Sequence, residues 1–289
     1  MKKIIPALAV CALTLAAYPA TGHATLLAYE SFNTTGNLIG QATSTGFTSS
    51  WTQYVSGSGT GTATVYADGL TYSGLLSQGG RAYVVPTGTG ATGARASLTS
   101  SINSGTLYVS CLLNVDEGLR YFGLALSTSN AAEALVIGHN SGGANWTLSG
   151  GAMTGWTKAG TTTTNTNDSG VAYQYDTTTL LLLRIDFNAS GASERVRLYV
   201  DPSTTASSTD DLTALVDCYT GTSVNLDITG ITLAAGYTSG VNTSSLVSFD
   251  EIRLGTDLGD VLVVPEVGSC SLAVAGLGFV AFLRRRNRR

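Results

Sequence analysis

Charged residues are scarce in this chain and make up 12% of its 289 residues, about half the share usual in soluble proteins. The basic residues are unevenly placed, because Lys2, Lys3 and five arginines in the last six residues account for seven of the 15. Residues 25–266 keep eight basic and 19 acidic residues, a net charge of −11. Since phosphate binding requires positive charge, this balance excludes a nucleic-acid-binding surface.

Histidine and cysteine are nearly absent from the central part of the chain. His139 is the only histidine after residue 24, and Cys111 and Cys218 are the only cysteines between the two apolar ends. One histidine cannot form a histidine-based zinc site and gives weak support to a Ser-His-Asp triad, so we interpret His139 as a hydrogen-bonding residue. The sequence leaves two alternatives for these cysteines, a disulfide or two buried thiols, since a disulfide requires Cα atoms within about 7 Å.

The first 24 residues have the pattern of a signal peptide. Lys2 and Lys3 precede an apolar run over 4–17, and Gly22 and Ala24 supply the small residues expected before a cleavage site. The run is shorter than the ~20 residues of a spanning helix, which disfavours a permanent anchor. We therefore predict an exported protein that signal peptidase cleaves after Ala24.

A second membrane signal lies at the other end of the chain. Val264, Pro265 and Glu266 precede 17 uncharged residues, 267–283, which are just long enough to cross a bilayer as a transmembrane helix. An arginine-rich tail, 284–289, follows and would hold this end in the cytoplasm. Its basic residues are Arg284, Arg285, Arg286, Arg288 and Arg289.

This end resembles the PEP-CTERM sorting signal of Gram-negative bacteria, which combines a Pro-Glu-Pro motif, a short apolar helix and terminal arginines. Pro265 and Glu266 match the first two motif residues, whereas Val267 stands where the second proline is usual. The resemblance implies that an exosortase, a membrane-embedded cysteine transpeptidase, cuts near the motif and delivers the protein to the cell surface or the exterior. The alternative is an ordinary tail anchor that is never cut, because charge and hydropathy do not separate the two.

Residues 25–258 have the pattern of an all-β domain, joined to the tail by a linker over 259–266. Runs of β-branched, aromatic and leucine residues alternate with clusters of Gly, Ser, Thr and Asn, and no stretch has a sustained helical period. Without helices to cover a parallel sheet, these strands must pack sheet on sheet, so we predict an antiparallel jelly-roll β-sandwich. The predicted strands are 26–32, 81–85, 106–115, 120–127, 133–139, 179–187, 194–201, 230–237 and 246–254.

The domain is similar to the concanavalin A-like or laminin-G-like jelly rolls of many exported bacterial proteins. The similarity rests on AYESFN at 28–33, LYVDPS at 198–203 and VSFDEIRLGTDL at 247–258. It implies that the first and last strands lie side by side, with Phe32 and Phe249 facing a shared core.

Catalytic carboxyl pairs are not evident in the sequence. Glycoside hydrolysis needs two carboxyl groups that face one glycosidic bond, and on a strand such residues are spaced i, i+2. The chain instead has adjacent acidic pairs at 116–117, 210–211 and 250–251, whose side chains point to opposite faces when extended. We therefore predict a non-enzymatic surface or extracellular-matrix protein, with a carbohydrate-binding module as the first alternative and a glycoside hydrolase as the second.

Two kinds of ligand contact remain open. Trp146 and Trp156, or Trp51 and Tyr54, could stack on the sugar rings of a polysaccharide, although such aromatics more often pack inside a protein. The second kind is Ca²⁺ binding by acidic loops, while no other cofactor is indicated. The conceivable donors are Asp201, Asp210 and Asp211, but no EF-hand-like spacing occurs, which favours ordinary surface acids.

Overall fold

The computed structural model describes residues 25–48, 50–117, 121–139, 143–151, 157–158, 166–188, 194–219, 226–237 and 246–264. Within these ranges the chain is almost entirely β-structure. The strands are β1 (Leu26–Glu30), β2 (Gly36–Asn37), β3 (Thr52–Gly57), β4 (Gly61–Tyr66), β5 (Arg81–Pro86), β6 (Gly90–Ile102), β7 (Thr106–Glu117), β8 (Tyr121–Ser127), β9 (Leu135–His139), β10 (Asn145–Ser149), β11 (Thr157–Lys158), β12 (Thr166–Ala172), β13 (Thr179–Asp186), β14 (Arg195–Val200), β15 (Val216–Tyr219), β16 (Ile228–Tyr237) and β17 (Leu246–Gly255). A 3-10 turn covers Thr209–Asp211, and the short helix α1 covers Leu258–Val261.

The strands form two antiparallel sheets, which confirms the predicted β-sandwich. Sheet I has the order β11-β15-β14-β13-β7-β17-β5-β4-β2, and β1 also pairs with β17. Sheet II has the order β12-β10-β9-β8-β16-β6-β3. The low-apolar region 141–178 contributes β10, β11 and β12, of which β11 and β12 lie at the edges of the two sheets.

The main core lies between the sheets and follows the alternation of the strands. Val196 and Leu198 of β14 are fully buried in it, whereas Arg195 and Arg197 take the opposite face. The prediction that the first and last strands are neighbours is confirmed by the β1–β17 pairing. Phe32 and Phe249 both belong to this core.

A second, smaller apolar cluster covers part of the outer face of sheet I. Leu112, Leu180, Leu182 and Tyr199 supply its strand side. Loop residues and α1 pack over them, and a capping box of Asp257 and Asp260 begins that helix. The apolar residues that cover the strands are Leu70, Leu75, Leu258, Val261 and Leu262. This part of sheet I is therefore closed, and neither apolar cluster of the described residues covers the outer face of sheet II.

The two cysteines of the sandwich are buried and are not joined to each other by a disulfide. Cys111 lies on β7 and Cys218 on β15, with β13 and β14 between them. Burial raises the pKa of the Cys111 thiol, which keeps it protonated and unreactive. Of the two alternatives, the structure therefore agrees with two buried thiols and not with a disulfide.

Both predicted membrane signals lie outside the described residues. Ala24, Pro265, Glu266, the segment 267–283 and the tail arginines belong to this group, while Val264 is the last residue that the structure describes and is 41% exposed. In the part of the chain that is described, no helix is long and apolar enough to span a membrane.

Candidate functional site

A strip of very small residues crosses the outer face of sheet II. Strand register places Gly93 opposite Ala234, Ala234 opposite Gly123, and Gly123 opposite Gly138, on four adjacent strands. A Cβ atom at Gly93 would lie 1.7 Å from the Leu233 carbonyl oxygen, so only glycine fits there. We call this strip of small residues the floor. Larger polar side chains lie around it on the same face of the sheet.

Four half-buried polar side chains surround this floor, and we call them the sheet II cluster: Tyr54, Arg95, Tyr121 and Glu133. They come from β3, β6, β8 and the loop between β8 and β9. Tyr54 stands opposite Gly93 at the edge of the sheet. The cluster therefore combines two phenols, one guanidinium and one carboxylate on one face of the sandwich.

The loop that carries Glu133 is folded over the outer face of sheet II. Ser127 Oγ and Thr232 Oγ1 donate hydrogen bonds of 2.7 and 3.2 Å to the Ala132 carbonyl. The Gly151 amide donates to the Glu133 carbonyl at 3.0 Å. These bonds fix the backbone on both sides of the carboxylate, so its position is set by the sheet beneath it.

The electrostatics of the sheet II cluster keep both phenols protonated. Burial raises the pKa of Tyr121 and Tyr54, and the negative charge of Glu133 raises both further. Arg95 acts in the opposite direction on the pKa of Tyr54, but more weakly. At neutral pH both hydroxyls are therefore hydrogen-bond donors beside a carboxylate acceptor.

Three polar atoms of this cluster are buried without a hydrogen-bond partner among the described residues. They are Tyr121 Oη, Glu133 Oε1 and Arg95 Nε. The Glu133 carboxylate lies close enough to Tyr121 to raise the pKa of its phenol, although Tyr121 Oη and Glu133 Oε1 make no full hydrogen bond. Because buried polar groups in proteins are nearly always paired, unsatisfied donors and an acceptor in one place favour binding of a polar ligand.

The structure assigns the predicted stacking residues to different environments. Trp146 is 2% exposed and packs in the core against Phe122, with ring centroids 5.7 Å apart, so its indole is not available to a sugar. Trp51 is likewise buried, and its indole nitrogen donates to the buried Glu30 carboxylate at 3.3 Å. Tyr54 alone of the four reaches the cluster, and Trp156 lies outside the described residues.

His139 is a packing residue in the structure. It is buried, stacks near Phe122 and Tyr173, and its Nδ1 lies 3.2 Å from the Asn145 carbonyl oxygen. Burial lowers the pKa of its imidazole, which favours the neutral form. The interpretation as a hydrogen-bonding residue agrees with these contacts.

The acidic pair 250–251 is buried and is not arranged as the sequence suggests. Glu251 has a φ of 50° at an irregularity of β17, so the regular alternation of faces breaks there. Asp250 accepts hydrogen bonds from the amides of Leu70 and Glu251 at 2.7 and 2.8 Å, and burial raises its pKa to about 8. Both carboxyl groups are therefore used within the fold.

Glu251 forms a buried ion pair that joins three segments. Its carboxylate accepts from Arg253 Nη2 at 2.7 Å and from Tyr29 Oη at 3.0 Å, and also from the Gln78 amide. The Arg253 guanidinium lies 4.0 Å from the centre of the Tyr29 ring. The pair therefore connects β17 to β1 and to the loop before β5.

The conceivable Ca²⁺ donors have local roles. Asp201 accepts from the Leu180 amide at 3.0 Å, and Asp211 lies 3.4 Å from the Ser207 hydroxyl. Asp210 lies in the 3-10 turn that Ser208 caps. Within the described ranges, no group of three or more His, Cys, Asp or Glu residues is arranged to hold a metal ion.

Three residues of the sheet II cluster are not candidates in the sequence analysis. Arg95 lies in a strand, β6, that the sequence analysis does not predict, Tyr121 lies in a predicted ordinary strand, and Glu133 opens an apolar run. Only Glu133 has a recognisable local signal, because it is a single acidic residue two positions before the buried strand β9. Arg95 and Tyr121 come onto one face of the sheet only through the order of the strands, which depends on contacts between distant parts of the chain.

No family model and no curated protein sequence matches this chain. Similar solved structures include an endo-β-1,4-glucuronan lyase from the fungus Trichoderma reesei, 12% identical with a TM-score of 0.46, over 82% of this chain and 98% of that one. A GH131 β-glucanase catalytic domain from Podospora anserina is 11% identical, with a TM-score of 0.42 and coverage of 68% and 81%. The cellulose-induced protein Cip1 is 12% identical, with a TM-score of 0.43 and coverage of 71% and 91%.

The prediction of a non-enzymatic protein is wrong in the light of these comparisons. The lyase and the glucanase are enzymes by their names. At this level of similarity their activities are not transferred to this chain. The activity of this chain has to be argued from its own residues.

Proposed function

We propose that this chain is an exported, glycan-active protein that binds a polysaccharide across the outer face of sheet II. The observation that carries the proposal is that three partnerless atoms, Tyr121 Oη, Glu133 Oε1 and Arg95 Nε, belong to residues around one face of sheet II, where Tyr54 and Glu133 interact electrostatically. Sugar hydroxyls both donate and accept, so one glycan can supply a donor to the carboxylate and acceptors to the other two groups.

A second candidate function is cleavage of the bound glycan. Glu133 and the protonated Tyr121 are a base and an acid on one face, which is the arrangement that proton transfer requires. Hydrolysis uses two carboxyl groups, whereas Glu133 is flanked by phenols. Elimination fits this set better: Glu133 takes the proton beside a uronate carboxylate held by Arg95, and Tyr121 protonates the leaving oxygen as the glycosidic C–O bond breaks.

We propose that the sandwich is a jelly roll of the concanavalin A-like type. The pairing of β1 with β17 supports this assignment, as do the two large antiparallel sheets.

Replacement of Glu133 by glutamine is expected to weaken glycan binding about tenfold to a hundredfold, because a charged acceptor is lost. Tyr121→Phe should have a similar effect, since it removes a donor and keeps the ring. Isothermal titration of the full-length chain with neutral β-glucans and with polyuronates measures the change. Release of reducing ends and ultraviolet absorbance of unsaturated products separate hydrolysis from elimination.

The matched control for these variants is Ser97→Ala. Ser97 is exposed and stands on β6, two residues beyond Arg95 on the same face. This change is expected to leave affinity and thermal stability as they are. Equal affinity of the Glu133→Gln variant and the unaltered protein for every glycan bound would contradict the proposal.

We also propose that the two ends route the protein outward, with an exosortase-type transpeptidase and signal peptidase as partners. The support is the sequence pattern of residues 1–24 and 264–289. Deletion of Arg284–Arg289 is expected to retain the protein in the inner membrane. Mass spectrometry of the mature C-terminus checks processing, and a secreted form that still contains residues 272–283 would refute it.

A further inference from the structure

The outer face of sheet I has a second part that the smaller apolar cluster does not cover. It lies on β4, β5, β17 and β7. Strand register sets Thr64 opposite Tyr83, Tyr83 opposite Ser248, and Ser248 opposite Asn114. Residues directly opposite each other share a face, so these side chains form one row across four strands.

A pair of tyrosines stands at one end of this row. Tyr66, two residues beyond Thr64 on the same face, is 46% exposed. Its ring meets that of Tyr83 edge to face, with centroids 5.7 Å apart at 88°. Tyr83 Oη donates to Asp116 Oδ2 at 2.8 Å, which anchors the second ring and thereby the first. An exposed ring held in this way is available for stacking at a small cost in conformational entropy.

Two polar atoms beside the tyrosines lack partners among the described residues. Ser248 is fully buried and its Oγ makes no hydrogen bond, and Asn114 Oδ1 is also unpaired. The two residues are direct cross-strand neighbours. A donor–acceptor hydroxyl beside an amide acceptor matches the hydroxyl groups of a sugar.

The charges around the row are predominantly acidic, although Arg81 Nε has no partner among the described residues. Arg81 forms an ion pair with Asp68 at 3.1 Å, and Asp116 is bound to Tyr83. Two carboxylates therefore stand beside one guanidinium, which disfavours an anionic ligand. This excess of negative charge does not repel an uncharged sugar.

We propose that Tyr66, Tyr83, Asn114 and Ser248 form a second glycan-binding site, specific for neutral sugars, on the opposite side of the sandwich from the sheet II cluster. We call it the tyrosine platform. Tyr66 stacks on the apolar face of a sugar ring, while Asn114 and Ser248 bind its hydroxyls. Two sites on opposite faces allow one molecule to bridge two glycan chains, with the gain in avidity that linked sites provide.

The test uses the full-length chain with Glu133→Gln and Tyr121→Phe already in place, so that the sheet II cluster is disabled. Titration with barley β-glucan, laminarin and galactomannan as neutral probes, and with alginate as an anionic one, measures the remaining binding. We expect this background to bind at least one neutral probe and not alginate. Tyr66→Ala and Asn114→Ala should each weaken that binding about tenfold, and Tyr66→Phe should retain it.

Stability is checked separately, because Tyr66 is exposed and its loss should leave the melting temperature nearly unchanged. Absence of neutral-glycan binding in the background protein would overturn the proposal, as would unchanged affinity after Tyr66→Ala. Loss of self-association instead of sugar binding, seen by sedimentation, would also overturn it and identify the platform as a contact between copies. Failure of the sheet II proposal is distinguishable, since it shows as unchanged binding in the Glu133→Gln single variant.

Discussion

Replacement of Trp146 by alanine is expected to lower the free energy of unfolding by about 3–5 kcal/mol, the range measured for large aromatic side chains in protein cores. Trp146 is 2% exposed and contacts Phe122 and Tyr173 with ring centroids at 5.7 and 6.1 Å. Its removal leaves a cavity between sheet II and the main core, which neighbouring strands cannot fill without breaking their register. Urea unfolding followed by circular dichroism measures the loss.

The matched control is Tyr175→Ala. Tyr175 belongs to the same group of aromatic rings but is 48% exposed, so its truncation should cost well under half as much as that of Trp146. Glycan affinity of the Trp146 variant, measured below its melting temperature, should be unchanged. A variant with native stability and lost sugar binding would instead assign Trp146 to ligand contact.

Replacement of Glu251 by glutamine is expected to lower the free energy of unfolding by about 3–5 kcal/mol, as found when one partner of a buried ion pair is removed. Glu251 is completely buried and Arg253 is 5% exposed, so the remaining guanidinium cannot be solvated by water. The variant also weakens the bond from Tyr29, which links β1 to β17. Denaturant unfolding at neutral pH is the appropriate measurement.

A double variant, Glu251→Gln with Arg253→Met, tests the cause of that loss. Because the uncompensated charge is then absent, stability should recover in part, and the double-mutant cycle should show coupling above about 1 kcal/mol. Additive losses in the two single variants would show that the pair contributes through packing and not through charge.

Local sequence pattern was sufficient to predict the most apolar strands and the packing of sheet on sheet, but it missed β3, β4, β6, β10, β12 and β15, which are rich in Gly, Ser, Thr and Asn or are short. The run from Arg195 to Val200 alternates apolar and polar residues, and the structure buries its apolar residues in the main core. The backbone conformation could not be predicted in the same way, since nothing in the acidic pair at 250–251 indicates the positive φ of Glu251. That one dihedral angle decides which way both carboxylates face.

The sheet II cluster was beyond the reach of local pattern. Arg95 and Tyr121 are separated by the whole of β7 in the chain, and they share one face of sheet II only because β16 pairs with both β6 and β8. The order of strands in a sheet is set by the packing of the whole domain. A search for catalytic pairs at short spacing therefore could not find a site whose members come from three strands and a loop.

The position of β17 in sheet I has a consequence for how the protein is made. This strand lies between β7 and β5 and also receives β1, so the sheet is completed by almost the last residues of the sandwich to be synthesised. Until residue 255 has left the ribosome, β7 and β5 present unpaired apolar edges of the kind that promote aggregation. The edges of β5 and β7 that face β17 therefore stay unpaired until nearly the whole sandwich has been synthesised.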